Sequence, residues 1–409
     1  MDTPTMPSNK SMPVFLALIL GIILGLSIEA MASPNAPGIL LADDQGKILY
    51  SQNQDSAYTP ASIFKLFTSL AAMDTLGKGH RYKTLFYYDR NTGNLYIKGL
   101  GDPLLISEVI NEMSQKIIHE IKAQAKPLAI KDIILDNTYF DAHIRIPGTG
   151  DSLNPYDATT GALCANFNTI SFKWDQKIGQ FISPEPQTPL LPDFLGTIQA
   201  TGQKQGRILL DLKQRNVYPG LLIKYFLKKK GIKVFGAVRL GTFEGTKEQT
   251  KTFESPFTLE QIIQKLLQYS NNFMANQLML TMGAQKSAAP ATLEKGVNAL
   301  DAFAQKKLGT KLIISEGSGL SRENRISPGQ MLQILVRFLP FHELLKCEDN
   351  REYYKTGTLS DVRTRAGFLR GKDNRLYPFV IMVNKKDTGY GQIRQLLMEK
   401  VAAVSSKRN

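Results

Sequence analysis

Ser62 and Lys65 stand three residues apart in the run Thr59-Pro60-Ala61-Ser62-Ile63-Phe64-Lys65-Leu66-Phe67-Thr68-Ser69-Leu70-Ala71-Ala72-Met73. On a helix that spacing puts both side chains on one face, a turn apart. A serine hydroxyl is a weak nucleophile until a base takes its proton. Lys65 is the only charge between Pro60 and Met73. Burial in such a segment penalises the ammonium form and draws the pKa down, which makes the amine a candidate base. No other Ser-x-x-Lys occurs in the chain. The competing reading of Ser62 is an ordinary serine at a helix N-terminus.

Two further segments supply partners in chain order. Ser270-Asn271-Asn272 lies within Gln268-Tyr269-Ser270-Asn271-Asn272-Phe273-Met274. Ser-x-Asn recurs at Ser51–Asn53 and Ser152–Asn154, so it is weak by itself. Lys355-Thr356-Gly357 is the sole Lys-Thr-Gly and opens a strand-like region near the C-terminus. A hydroxyl–amine pair, a second hydroxyl with an amide, and a second amine suit acyl transfer. Ser-x-x-Lys, Ser-x-Asn-type and Lys-Thr-Gly motifs in this order mark penicillin-binding proteins and class A β-lactamases.

Over nearly the whole stretch after residue 32 the sequence resembles the peptidase S13 family, the penicillin-binding protein 4-type D-alanyl-D-alanine carboxypeptidases and endopeptidases. The resemblance extends beyond the three motifs to Gly99-Leu100-Gly101-Asp102-Pro103, Asp136-Asn137-Thr138-Tyr139-Phe140-Asp141 with Pro147-Gly148, and Ala162-Leu163-Cys164-Ala165-Asn166-Phe167-Asn168. It continues through Gly317-Ser318-Gly319-Leu320-Ser321-Arg322, Thr358-Leu359 and Ala366-Gly367. It implies a substrate peptide ending in D-Ala-D-Ala, with peptidoglycan peptides and β-lactams as ligands and no cofactor. Ser62 is then the nucleophile, Lys65 its base, Ser270 a proton relay toward the leaving amine, and Asn272 a clamp on Lys65 and the substrate amide. Lys355 binds the substrate carboxylate or tunes Ser270, with Thr356, Gly357 and Thr358 as substrate contacts. The sequence departs from the usual pattern at Asn271 and Glu316, where the family usually carries Asp. Glu316 to Arg322 also reads simply as a glycine-driven turn. The rival functions are a β-lactamase and a catalytically idle cell-wall-binding protein.

The elements that must position these groups are legible in outline. At 409 residues the chain has room for two to three domains of about 150 residues. Its apolar share is 43% and its charged share 21%, which excludes a disordered tail, a collagen and a multi-span membrane protein. The net charge of +14 suits an anionic polymer, an acidic membrane face or nucleic acid, and reads most simply as a solvated basic surface. No aromatic–arginine interleaving points to nucleic acid. His80, His119, His143 and His342 lack metal-ligand spacing. Met12 to Ile28 is apolar throughout and precedes Ala30-Met31-Ala32, which reads as a signal peptide over 1–32 and implies export to a periplasm. An uncleaved anchor is the alternative. Cys164 and Cys347 are expected to be two separate buried thiols, with a disulfide between them as the alternative.

Gly38 to Tyr50 reads as a hairpin around Asp43-Asp44-Gln45-Gly46, and Tyr87 to Lys98 as another around Asn91-Thr92-Gly93. The Ser62 segment predicts a helix buried all round, capped by Thr59, with Pro60 in its first position and Gly77 at its end. Helices are expected near Leu105–Ala125, over Thr258–Met282, over Ser327–Leu345 and from about Gly391 to Val404. Strands are expected at Ala366–Leu369 and Tyr377–Val383. The last helix, with Val401, Ala402 and Val404 beside Lys400, Lys407 and Arg408, suggests weak membrane-surface association. The resulting fold expectation is an α/β (α+β) catalytic domain of the serine penicillin-binding/β-lactamase-like transpeptidase type. It comprises an antiparallel sheet flanked by helices, made from 33–80 plus 251–409. Residues 81–250 form a β-rich insertion between the first and second motifs.

Overall fold

A computed structural model describes residues 36–122, 129–150, 157–385 and 388–406. The leader segment, Lys407 and Arg408 lie outside the described residues. The chain begins with strands β1 (Gly38–Ala42) and β2 (Ile48–Gln52), a 3-10 turn at Ala61–Ile63 and helix α1 (Phe64–Leu76). Next come β3 (Arg81–Tyr88), β4 (Leu95–Gly99), α2 (Ser107–Lys122), β5 (Ala129–Ile130) and β6 (Ile133–Asp136). Strands β7 (Thr169–Asp175) and β8 (Gln180–Ile182) precede α3 (Leu195–Ala200), β9 (Gln205–Leu209) and α4 (Leu212–Lys229). Short strands β10 (Lys233–Val234) and β11 (Val238–Leu240) lead to β12 (Lys251–Thr258). Helices α5 (Leu259–Tyr269), α6 (Asn272–Ser287), α7 (Leu293–Phe303) and α8 (Pro328–Phe338) follow. Strands β13 (Lys346–Glu348), β14 (Glu352–Leu359), β15 (Val362–Arg370) and β16 (Leu376–Val383) precede the last helix, α9 (Gly391–Ser405).

The two ends of the chain meet in one antiparallel sheet, ordered β13-β14-β15-β16-β1-β2. Its closing register sets Ile39 against Ile381 and Leu41 against Phe379. One face packs on α1, α5, α6 and α8 through Phe64, Phe67, Leu266, Met279 and Ile334, all fully buried. The other face is covered by α9, whose Leu397 and Val401 bury against Ile39, Phe379 and Ile381. The apolar stripe of α9 is therefore turned toward the sheet. Among the described residues, no helix is long and apolar enough to cross a membrane.

Between the first and second motifs the chain builds a second core. Its five-stranded sheet, β11-β6-β4-β3-β12, closes with β12, which pairs antiparallel with β3. Helices α2 and α4 cover it through Ile110, Met113, Ile117, Leu222 and Ile223. A three-stranded antiparallel sheet, β8-β7-β9, lies beside them. The sequence reading anticipates α2 but misses α4. Pro219 and Gly220 in its middle imitate a turn, yet burial of Tyr218, Pro219, Gly220 and Leu222 outweighs that local preference. The overlooked signal is the capping box at Asp211 and Gln214.

Three local expectations need correction. Thr59 does not cap the Ser62 helix; its hydroxyl accepts a hydrogen bond from Arg325 at 3.0 Å, and the helix is entered through the 3-10 turn. The continuous helix expected over Thr258–Met282 breaks at Ser270. Cys164 and Cys347 are both free, but only Cys164 is buried, because Cys347 sits on the sheet's edge strand β13.

Candidate active site

Helix α1 is buried on every side from Phe64 to Met73, and Lys65 is buried with it, at 0% exposure. Its Nζ lies 2.9 Å from Ser62 Oγ, 2.7 Å from Asn272 Oδ1 and 2.7 Å from the Ser318 carbonyl oxygen. Burial pulls the Lys65 pKa down to about 7, and nearby Glu316 opposes that fall. The partner set fits both states of the amine. As an ammonium, Nζ donates to all three oxygens. As a free amine, its two N–H groups go to Asn272 Oδ1 and the Ser318 carbonyl oxygen, atoms that can only accept, and its lone pair is left for the Ser62 hydroxyl.

Ser62 is half-buried in the 3-10 turn behind Ala61, a non-glycine residue held at φ +49°. A left-handed alanine costs free energy and persists only where surrounding contacts impose it. Here Gly319 and Gly357 pack directly against the turn. A Cβ on Gly319 would sit 1.9 Å from the Ala61 carbonyl oxygen, and one on Gly357 would sit 2.8 Å from the Ser62 nitrogen. Thr364 on β15 also donates to the Pro60 carbonyl at 2.7 Å. Strand β14 thus passes directly beside the Ser62 backbone.

The second motif is shaped by the break between α5 and α6. Ser270 takes the left-handed conformation, φ +55°, and ends α5, while Asn271 caps α6 by accepting from Met274 N at 3.0 Å. The kink aims two side chains at one place. Asn272 reaches Lys65, and Ser270 Oγ accepts from Lys355 Nζ at 2.7 Å. Lys355, on β14, also donates to the Thr356 carbonyl at 2.7 Å and is 3% exposed. Burial, then repulsion from Lys65 and Lys346, lowers its pKa to about 6. Ser62, Lys65, Ser270, Asn272 and Lys355 therefore converge. Thr356 is half-buried, Gly357 is buried and Thr358 is exposed on the same strand.

Of the groups behind Lys65, Glu316 and Ser318 lie in a segment the sequence resemblance already marks, whereas Asn276 lies outside every stretch singled out there. Glu316, Ser318 and Asn276 are all buried behind Lys65. The sequence offers a glycine-rich turn at Gly317-Ser318-Gly319 but nothing to say that its carbonyl would reach an amine 253 residues away.

The decisive match is to a family model of the "D-Ala-D-Ala carboxypeptidase 3 (S13) family", which aligns with residues 30–191 and 194–346. The chain belongs to that family. Among curated S13-like relatives, a D-alanyl-D-alanine carboxypeptidase of Actinomadura sp. is 23% identical over 353 residues, covering 73% of this chain and 63% of that protein. The present chain thus spans under two thirds of that relative's length. The D-alanyl-D-alanine carboxypeptidase DacB of Haemophilus influenzae is 22% identical, over 85% of this chain and 84% of that protein. The crystal structure of penicillin binding protein 4 from Haemophilus influenzae superposes with a TM-score of 0.71 at 21% identity, covering 89% of this chain and 95% of that one. The overall fold is therefore that of the S13 penicillin-binding proteins.

A cleft of about 620 Å³ runs outward from Ser270, Asn271 and Asn272. Tyr269, Lys265 and Met274 form one wall, and Phe167, Thr188 and Arg207 of the inserted region the other. Tyr269 is 76% exposed at its mouth. The segment between the first and second motifs thus borders the cleft. No group of three or more His, Cys, Asp or Glu suited to a metal occurs among the described residues.

Proposed function

We propose that this S13 protein is a serine D-Ala-D-Ala carboxypeptidase that acts on peptidoglycan stem peptides through an acyl-enzyme. The observation that carries the reading is the placement of Lys65 Nζ, 2.9 Å from Ser62 Oγ in a fully buried setting with its other two partners restricted to accepting. Lys65 removes the Ser62 proton as Oγ attacks the penultimate D-Ala carbonyl. The tetrahedral oxyanion forms beside the backbone N–H groups of Ser62 and Thr358, a type of stabilisation worth about 3–4 kcal/mol per donor. The amide C–N bond then breaks, and Ser270, hydrogen-bonded to Lys355, passes a proton to the departing D-alanine amine. Asn272 holds the substrate amide, and Lys355 with Thr356 and Thr358 receives the terminal carboxylate. Water cleaves the ester and regenerates the Ser62 hydroxyl.

A β-lactam presents a strained amide and a carboxylate in the same arrangement, so penicillin acylates Ser62. The cleft beyond Ser270 exceeds the needs of one departing D-alanine, being sized for a ligand of several residues. That favours, as a second activity, cleavage of D,D-cross-links. The apolar Met12–Ile28 segment and Ala30-Met31-Ala32 support export to a periplasm, where such peptides are exposed.

The test is incubation with a D-Ala-D-Ala pentapeptide, assay of released D-alanine, and intact mass after penicillin with peptide mapping of the adduct. The expected result is D-alanine release and one adduct on Ser62, both lost in Ser62→Ala. Release that persists in Ser62→Ala overturns the assignment. A penicillin adduct that turns over within seconds identifies a β-lactamase instead.

A further inference from the structure

Lys65 is held in place from behind by a carboxylate that never touches it. Glu316 is fully buried and bonds to four N–H donors. Its Oε2 accepts from Ser318 N at 2.6 Å and from Asn276 Nδ2 at 3.0 Å. Its Oε1 accepts from Asn324 Nδ2 at 2.8 Å and from Ser321 N at 3.2 Å. Every partner is a neutral donor, an arrangement that suits a carboxylate anion and leaves its charge uncompensated by contact. The same loop is pinned twice more, by Asn276 Oδ1 accepting from Gly317 N at 2.8 Å and by Thr68 Oγ1 donating to the Gly317 carbonyl at 2.6 Å. The part of this scaffold that meets the amine is the Ser318 carbonyl, 2.7 Å from Lys65 Nζ.

We propose that Glu316 is the positioning residue that aims the Lys65 amine at Ser62 and offsets the charge the amine acquires when it takes the serine proton. The inference rests on the Ser62–Lys65 reading above and extends it to a residue outside the three motifs. The orienting part follows from counting. A neutral amine has two N–H groups and one lone pair. The lone pair points at Ser62 only if both N–H groups are committed elsewhere. Asn272 commits one, and the Ser318 carbonyl, fixed by Glu316 through its own N–H, commits the other. The charge part follows from position. The ionisable groups that bear on Lys65 are Glu316 from the loop and Lys355 from β14, while α6 contributes only the uncharged Asn272 and Asn276. Glu316 thus bears on Lys65 as the one carboxylate against a second buried amine. When Ser62 gives up its proton, the new ammonium lies near an anion held rigid by the fold, and no reorganisation is needed.

The experiment is the pH dependence of Ser62 acylation by penicillin in the full protein, compared with Glu316→Gln and Glu316→Asp. In the parent the rate rises through a pH limb set by loss of the Lys65 proton. Glu316→Gln removes the charge, so the limb moves to lower pH by roughly one unit. Its amide also confronts N–H donors, the Ser318 carbonyl drifts, and the plateau falls by about 10²-fold. Glu316→Asp keeps the charge but shortens the reach. Its limb stays at the parent position, and the plateau falls by about tenfold. A merely structural glutamate lowers folded fraction or plateau and leaves the limb in place in both variants, and that result overturns the proposal. So does a Glu316→Asp limb displaced as far as that of Glu316→Gln. If Glu316→Gln does not fold, Glu316→Ala supplies the charge-free variant beside Glu316→Asp. Its limb is then expected at lower pH than that of Glu316→Asp, and a limb at the same pH in both overturns the proposal. Failure of the Ser62–Lys65 reading is distinct, since no adduct then forms in the parent.

Discussion

Strand β14 carries two sorts of buried charge three residues apart, and they are treated in opposite ways. At its start, Glu352 is 1% exposed and fully paired. Arg365 Nε approaches its Oε1 at 2.5 Å, and Arg394 Nη2 approaches its Oε2 at 2.6 Å. Arg365 also reaches Glu348 at 3.0 Å and lies 3.5 Å over the Tyr354 ring. This cluster ties α9 to the sheet. Three residues further, Lys355 is as buried but has only a hydroxyl and a carbonyl as partners. Lys65, which it faces across the site, is likewise held by neutral groups. Paired ions stay ionised and hold elements together, whereas amines denied a contacting carboxylate are driven toward the neutral form and become reactive. One end of the strand thus carries paired charge that joins elements, and the other carries the unpaired amine of the proposed site.

The comparison breaks first at its reactive end. Ser62→Ala should lower D-alanine release by about 10⁴-fold or more, measured as kcat/KM on the pentapeptide, with the thermal melt unchanged. A drop below tenfold would place the chemistry elsewhere. The cohesive end is expected to respond in stability only. Glu352→Gln removes the buried carboxylate from Arg365 and Arg394, leaves them only the half-exposed Glu348, and should cost roughly 3 kcal/mol in urea unfolding. Its acylation rate per folded molecule should match the parent, and a lost rate would tie the ion cluster to catalysis.

A third effect is smaller and has the opposite sign. The folded-state pKa values of Lys65 and Lys355, about 7 and about 6, lie below the value near 10.4 of an unfolded lysine. Between these limits the unfolded chain holds protons that the native protein has released, so stability rises as pH goes from about 6 to about 10. Below that window both states are protonated and the full penalty of burying the cations is present. Lys355→Met should flatten the rise and stabilise the protein near pH 6 by about 2 kcal/mol while abolishing activity, an exchange of function for stability. Urea titrations at several pH values check it, and an unchanged slope would refute the buried-amine account. The smallest effect is expected at the cleft mouth. Tyr269→Ala should leave stability within about 0.5 kcal/mol and penicillin acylation intact, while raising KM for cross-linked peptides more than for the pentapeptide.

Much of this arrangement is readable from local pattern. The α1 segment is apolar on all faces, and only a buried helix tolerates that; its lone lysine then has to be a buried lysine. The hairpins at β1–β2 and β3–β4 follow from their turn residues, and α9 falls where its periodicity puts it. Failures occur where tertiary packing overrides local preference. Pro219-Gly220 conceals α4. The apolar periodicity that runs through Ser270 conceals the break between α5 and α6, because a single residue at φ +55° leaves no mark on hydrophobic pattern.

The sequence by itself determined which hydroxyls, amides and amines are available, their order, and the burial of the helix that carries Lys65, because composition and periodicity act over a few residues. Only the tertiary structure decided how they meet. Lys65 is joined to Asn272 across 207 positions and to Ser318 across 253, and Lys355 to Ser270 across 85. Such contacts exist only after α1, α6 and the terminal sheet have packed together, and the low pKa of both amines exists only with them, because water must first be removed.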